Sequence, residues 1–249
     1  MLVCLYGHKF LVKMTQPKAG LSWLKGLADF VFPPLCLGCG EYTEVEYGVC
    51  DDCMRAIDRF SQPFCLGCLT MIESGTRCGS CEDRYPPLFA AGNYTAPLEQ
   101  IIIQYKFKGI KRPSVMFARL VMEEFEDDIK SLQAEALIPI PLHPSREAGR
   151  GYNQAVVLSQ HLSELLGTET RTDILYRTQK HKPQARLNLR QRAANISGVF
   201  EVDESAESGA RVALVDDVVT SGATVREATR VLSEAGLEVA GVISIAHAV

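Results

Sequence analysis

Two adjacent carboxylates, Asp216 and Asp217, end an apolar run, VALVDD, and a small hydroxyl-rich turn, Thr220-Ser221-Gly222-Ala223-Thr224, follows two residues later. The run reads as a buried parallel strand, and ligands gather at the carboxyl ends of such strands in open α/β sheets. A helical pattern begins within the turn, so free backbone N–H groups and the positive end of a helix dipole favour an anion there. Thr220, Ser221 and Thr224 add hydroxyl donors, and Gly222 lets the backbone approach a phosphate closely. Two carboxylates beside a phosphate repel it unless they contact something else. Vicinal sugar hydroxyls with Mg²⁺ nearby are fitting partners, so a ribose phosphate carries all the required parts. The competing interpretation is an ordinary strand followed by an Asp-capped helix. A G-x-x-x-x-G-K-S/T loop is absent, which argues against a P-loop NTPase.

Eight of the nine cysteines form four C-x-x-C pairs: Cys36/Cys39, Cys50/Cys53, Cys65/Cys68 and Cys78/Cys81. Cys4 stands apart. One such turn points two thiolates at one metal and two turns complete a tetrahedral Zn²⁺ site, so four predict two structural zinc sites. Disulfides need an oxidising compartment, and no export signal is legible. Sequential pairing gives two stacked ribbons and alternate pairing a cross-braced arrangement. The short loops inside each sequential unit suit one hairpin apiece and favour the first. Few long apolar runs occur between Pro33 and Cys81, so metal binding is expected to supply much of the folding free energy there.

Arg150, Asn153 and Gln154 sit where a strand gives way to a helix and could meet an anion, with His143 and Arg146 as weaker candidates; a capping loop with surface arginines is the alternative. From 174 to 200 there is no Asp or Glu, while Arg177, Lys180, Lys182, Arg186, Arg190 and Arg192 bring six positive charges. That run could hold a nucleic-acid backbone or close over a diphosphate. Lys106 and Lys108 could join the same face, but a solvated helix end is the commoner reason for two lysines before a glycine.

Positioning these groups falls to elements legible after the Pro86-Pro87 pair, which marks an expected domain joint. Strands are predicted over 88–94, 136–141, 174–176, 212–216 and 239–248, and helices over 97–107, 115–125, 154–166 and 224–235. Such alternation implies an α/β fold, a mostly parallel sheet with helices on both faces. The acidic runs at 123–128 and 201–207 read as solvated surface.

With 249 residues, 47% of them hydrophobic, the chain can bury a full core, and a net charge of −4 excludes a globally basic nucleic-acid binder. No stretch approaches the ~18 apolar residues of a membrane span, and His8, Lys9 and Lys13 interrupt the N-terminus, so a cytoplasmic location is expected. Met14 opens a more ordinary start, and residues 1–13 are expected to contribute nothing to the fold. The apolar helix predicted over 21–32, with Trp23, could pack on the ribbons or dock a membrane-bound partner.

VALVDDVVTSGAT resembles the signature of type I phosphoribosyltransferases, which bind 5-phosphoribosyl 1-diphosphate. The resemblance implies that Asp216 and Asp217 hold the ribose hydroxyls and that Thr220, Ser221, Gly222, Ala223 and Thr224 wrap the 5′-phosphate. It further implies that the loop with Arg150, Asn153 and Gln154 serves the diphosphate and that the basic run is a catalytic hood. Together with FPPLCLGCG, the further C-x-x-C pairs, YKFKG, IPIPLHPSREAGRGYNQA and the set Arg177, Gln184, Arg192, Asn195, Gly198 and Phe200, the chain from about Phe32 onward resembles the ComF family.

Residues 1–32 then form an extension and helix, 33–85 a double zinc ribbon and 86–249 a type I phosphoribosyltransferase-like domain. The family resemblance implies a role in natural competence and DNA uptake. Two functions stay open. One is an Mg²⁺-assisted transferase, nucleobase salvage included, in which Asp216, Asp217 and Arg150 carry catalysis. The other is a non-catalytic module that senses a nucleotide or holds single-stranded DNA and DNA-uptake proteins.

Overall fold

The structure is a computed structural model and describes residues 33–73, 75–76, 78–81, 84–178 and 198–248. The segment 1–32 lies outside the described residues, as do Lys180, Lys182, Gln184, Arg186, Arg190, Arg192 and Asn195. The chain divides into Met1–Pro34 and Leu35–Val249, and the second unit is the one described below.

Its strands are β1 (Phe64–Cys65), β2 (Pro87–Asn93), β3 (Ala136–Pro139), β4 (Glu169–Thr170), β5 (Leu175–Arg177), β6 (Phe200–Val202), β7 (Arg211–Val219) and β8 (Glu238–His247). The helices are α1 (Asp51–Arg55), α2 (Leu98–Phe107), α3 (Pro113–Ser131), α4 (Pro144–Arg150), α5 (Gln154–Leu166) and α6 (Ala223–Glu234). Six strands make one sheet in the order β1-β2-β8-β7-β3-β4. All neighbours run parallel except β1, which joins β2 antiparallel.

β7 and β8 lie centrally because they can be covered on both faces: Val212 to Val215 and Val242 to Ala246 are all buried. Helices α3 and α5 and, separately, α6 pack on this sheet, α6 through Val225, Ala228 and Leu232. Helix α5 starts where expected because Asn153 Oδ1 accepts from Ala155 N at 2.9 Å, and it ends at left-handed Gly167.

Three elements differ from the reading of the sequence. β7 runs on to Val219, so the aspartates lie inside a strand rather than at its end. Pairing with β8 continues at Asp216–Ser244 and Val219–His247, which holds those residues extended. β5 is not a parallel member of the main sheet; it pairs antiparallel with β6. Helix α3 continues past Phe125, where the backbone leaves helical geometry while the ring stays buried against Phe89 at 5.5 Å.

The cysteine-rich segment shares the sheet's core. Cys36, Leu37, Val49, Cys53, Ile57, Phe60, Phe64 and Leu66 belong to the same buried apolar cluster as β2 and β8. The Pro86-Pro87 joint is the start of a strand, with Pro87 buried and opposite Cys65. Arg59 reaches Glu123 and Glu124 of α3 at 2.9 and 3.3 Å, and Arg119 of α3 donates to Tyr47 at 2.5 Å.

Candidate functional site

The eight cysteines gather into two clusters, Cys36/Cys39/Cys50/Cys53 and Cys65/Cys68/Cys78/Cys81, which is the sequential pairing. Within each, all sulfurs lie within 4.8 Å of one another. Cys39 and Cys50 are 3.8 Å apart, as are Cys68 and Cys78. Four thiolates ~2.3 Å from a tetrahedral Zn²⁺ would stand about 3.8 Å apart, so the donor set fits that ion.

Gly38 is needed because a Cβ there would come 2.8 Å from Cys53 Sγ. Burial opposes the Cys36 thiolate, but the N–H groups of Cys39, Cys50 and Gly38 bring its pKa down to about 6. The Thr70 hydroxyl, 2.9 Å away, brings Cys68 to about 6. These two thiolates suit a metal, whereas burial pushes the Cys53 and Cys65 thiols up.

On β7, successive side chains point to opposite faces, which separates the two like charges. Asp217 is 7% exposed and pairs with Lys106 Nζ at 2.8 Å. Lys106, read from the sequence as a solvated helix end, is thus part of the site. It is fixed there by its neighbours: the Tyr105 hydroxyl donates to Gln154 O at 2.9 Å, and the Tyr152 hydroxyl donates to Tyr105 O.

Asp216 is half-buried, and its Oδ1 accepts from Asp217 N at 2.8 Å. Burial, then the Asp217 charge, pushes its pKa up to about 7, against that hydrogen bond and the charges of Lys106 and Arg177. The folded state therefore keeps a proton that the unfolded chain releases near pH ~4, and stability falls as pH rises from about 4 to about 7. The wild-type melting temperature should decline across that window more steeply than that of Asp216→Asn; parallel curves would refute the assignment.

Beyond β7, Thr220 and Ser221 are exposed, and Gly222 takes φ 67° as the N-cap of α6 with no side chain capping the helix amides. Ala223 and Thr224 are half-buried in its first turn. The loop after β3 is built differently from its expectation, because α4 intervenes. His143 caps α4 through Nδ1 and Ser145 N at 3.3 Å, and Arg150 closes it before left-handed Gly151.

Arg150 Nη1 donates to Gln154 Oε1 at 2.9 Å, and its guanidinium lies 4.9 Å over the Phe107 ring. Asn153 is buried and holds the loop to β3, donating to Ile140 O at 3.0 Å while capping α5. Gln154 is fully buried, with Nε2 unpartnered. Arg177 lies 5.5 Å over Phe200, its buried Nε likewise unpartnered. Burial, then Arg146, depresses Arg177, while Asp216 opposes them, so Arg177 lies within reach of both charges.

The structure thus brings together Asp216, Asp217, Lys106, Arg177 and the start of α6. Reading the sequence offers Lys106 as a possible member of the basic face but favours a solvated helix end, and its ion pair with Asp217 decides for the site. That reading misses Arg226, in the first turn of α6, whose two partners are backbone carbonyls and so leave no trace in residue types.

Residues 27–82 match the family described as a double zinc ribbon domain, and residues 148–249 match the phosphoribosyl transferase domain. Competence protein F of Haemophilus influenzae is 32% identical over 223 residues, covering 86% of this chain and 96% of that protein. DNA utilization protein YhgH of Salmonella typhimurium is 31% identical over 224 residues, covering 87% and 92%. Competence protein ComFC of Streptococcus pneumoniae is 26% identical over 193 residues, covering 76% and 82%. With paired sulfur clusters packed beside a mostly parallel sheet, and with likeness extending along nearly all of competence protein F, the chain belongs to the ComF family of competence and DNA-utilization proteins.

Proposed function

We propose that this protein binds phosphoribosyl diphosphate with Mg²⁺ and serves natural competence, in the uptake and transformation of DNA. The observation that carries the reading is the sequence of groups along one strand and turn. Asp216 and Asp217 extend from opposite faces of β7, and five residues beyond Asp217 the chain turns through Gly222 into the uncapped amides of α6. On this reading the aspartates orient the ribose hydroxyls and Thr220 to Thr224 hold the 5′-phosphate. Arg150, Arg146 and Arg177 face the diphosphate, and Asn153 and Gln154 keep that loop in place.

Carboxylate oxygens beside sugar hydroxyls are the donor set of a hard cation, so Asp216 is the residue that would hold Mg²⁺. Mg²⁺ would neutralise charge that develops on the diphosphate oxygens. The transfer that fits is displacement at C1. A nitrogen nucleophile forms the C1–N bond as the C1–O bond breaks, the electron pair leaves with the diphosphate toward the arginines, and the nitrogen gives up its proton to solvent. Residues 33–85 then serve as the zinc-ribbon part and 86–249 as the transferase-like part, in the cytoplasm.

Calorimetric titration with phosphoribosyl diphosphate and Mg²⁺ tests this. Asp216→Ala/Asp217→Ala should bind about 10²- to 10⁴-fold more weakly than wild type, the loss of two charged contacts of ~1.5–3 kcal/mol each. Equal affinities would reject the pocket.

A second reading, contact with single-stranded DNA and through it with DNA-uptake proteins, is favoured by Phe107. Its ring is 66% exposed under the Arg150 guanidinium, and Lys111 Nζ lies 4.8 Å over the neighbouring Tyr152 ring. Basic groups interleaved with an exposed aromatic form a base-stacking platform. Phe107→Ala should weaken binding of an oligothymidylate by about 1–3 kcal/mol, and an unchanged affinity would remove Phe107 from that role.

A further inference from the structure

The turn from Thr220 to Thr224 is held from an unexpected side. Arg226 spans from α6 to the second cysteine cluster: Nη1 donates to Leu66 O at 2.9 Å and Nη2 donates to Ser221 O at 2.6 Å. Leu66 is fully buried and lies between two of the four clustered cysteines, Cys65 and Cys68. Its own N–H donates to Pro86 O at 3.2 Å, and Leu69 N donates to Cys65 O at 2.8 Å, so the knuckle presents its carbonyl in one fixed direction.

The guanidinium also fills the space beside Gly222. A Cβ there would come 2.7 Å from Arg226 Nη1 and 3.4 Å from Leu69 Cδ2. One planar fork thus ties a carbonyl of the sulfur knuckle to a carbonyl of the turn, a geometry that the single ammonium of lysine does not reproduce.

We infer that Arg226 is a positioning residue through which the second cysteine cluster sets the shape of the ribose-phosphate turn, so that zinc at Cys65/Cys68/Cys78/Cys81 and a 5′-phosphate on the turn stabilise one another. This rests on the ribose-phosphate reading of residues 220–224. The order given by Cys65 and Cys68 reaches Ser221 and Gly222 in two hydrogen bonds. Coupling between two sites is reciprocal, so a ligand that tightens the turn also tightens the knuckle. Both Arg226 donors that bridge the two segments are committed to carbonyls, which makes its effect on the phosphate indirect.

The test uses the full-length, zinc-loaded chain. Affinities for ribose 5-phosphate and, separately, for inorganic diphosphate with Mg²⁺ are measured by calorimetry. Zinc release to a chromogenic chelator is timed with and without saturating ribose 5-phosphate. In wild type, ribose 5-phosphate should slow release of one of the two zinc ions on the order of tenfold. In Arg226→Met, ribose 5-phosphate should bind about tenfold more weakly and no longer slow zinc release, while diphosphate affinity stays at the wild-type value. Arg226→Lys should fall between the two.

A variant that keeps wild-type ribose 5-phosphate affinity and the zinc effect would overturn the inference while leaving the pocket reading intact. A wild type that fails to bind ribose 5-phosphate at all would overturn the pocket reading and the inference with it. Should Arg226→Met not fold, the wild-type release rates decide alone, and equal rates with and without ribose 5-phosphate would overturn the coupling.

Discussion

Lys106→Met is expected to lower the melting temperature by roughly 6–12 °C, the equivalent of about 3 kcal/mol in an ordered unit of this size. The side chains of Lys106 and Asp217 are 16% and 10% exposed, so removing the cation leaves a carboxylate that water reaches poorly. The damage is not confined to one pair, because Lys106 also opposes the upward shift of Asp216. Asp216 would then depend on Arg177, itself already depressed by burial and by Arg146, and Asp217 would lose its ion-pair partner.

The reverse change is milder for the same reason. In Asp217→Asn, Lys106 still faces the charge of Asp216, and the shift at Asp216 loses its second-largest cause. Thermal unfolding at pH 8 should therefore rank wild type above Asp217→Asn and Asp217→Asn above Lys106→Met. A Lys106→Met variant as stable as Asp217→Asn would show that the pair is only a surface contact.

Removing zinc should have a still larger effect, and on the whole sheet rather than on the ribbons alone. Structural zinc contributes ~10–16 kcal/mol, as much as or more than the ~5–15 kcal/mol net stability of a typical domain. Cys36 and Cys53 are buried in the cluster that includes β2 and β8, and Cys65, also buried, is itself a residue of the main sheet. Wild-type protein should carry two zinc ions by elemental analysis. Excess chelator, or Cys65→Ser, should abolish the cooperative far-ultraviolet circular-dichroism transition. A chelated chain that kept the wild-type transition would show that clusters and sheet are energetically separate.

Much of this arrangement was legible from residue order. The eight clustered cysteines announce themselves by spacing, and short intervening loops correctly favour sequential pairing. Helix α5 is marked at both ends, by Asn153 and Gly167. What escaped depends on partners far away in the chain. Lys106 and Asp217 are 111 positions apart by number, and Arg226 meets a carbonyl 160 positions away. β5 is three residues long with one buried position, too short to reveal a separate antiparallel pair. Reading the sequence puts the aspartates at a strand end, where the apolar run VALV gives out. The ladder with β8 instead carries them through, one to each face.

The cysteine-rich segment also has a consequence for solubility. β2 is flanked by β8 on one side, and its other side would present open backbone groups to any passing strand. Residues 58–65 cover that side: Cys65 and Phe64 pair with Pro87 and Leu88, Phe60 N donates to Ala91 O at 3.2 Å, and Asn93 N donates to Asp58 O at 2.8 Å. The segment is a guard along an otherwise adhesive border. A metal-starved cell would then accumulate chains that pair border to border and precipitate, rather than merely idle ones.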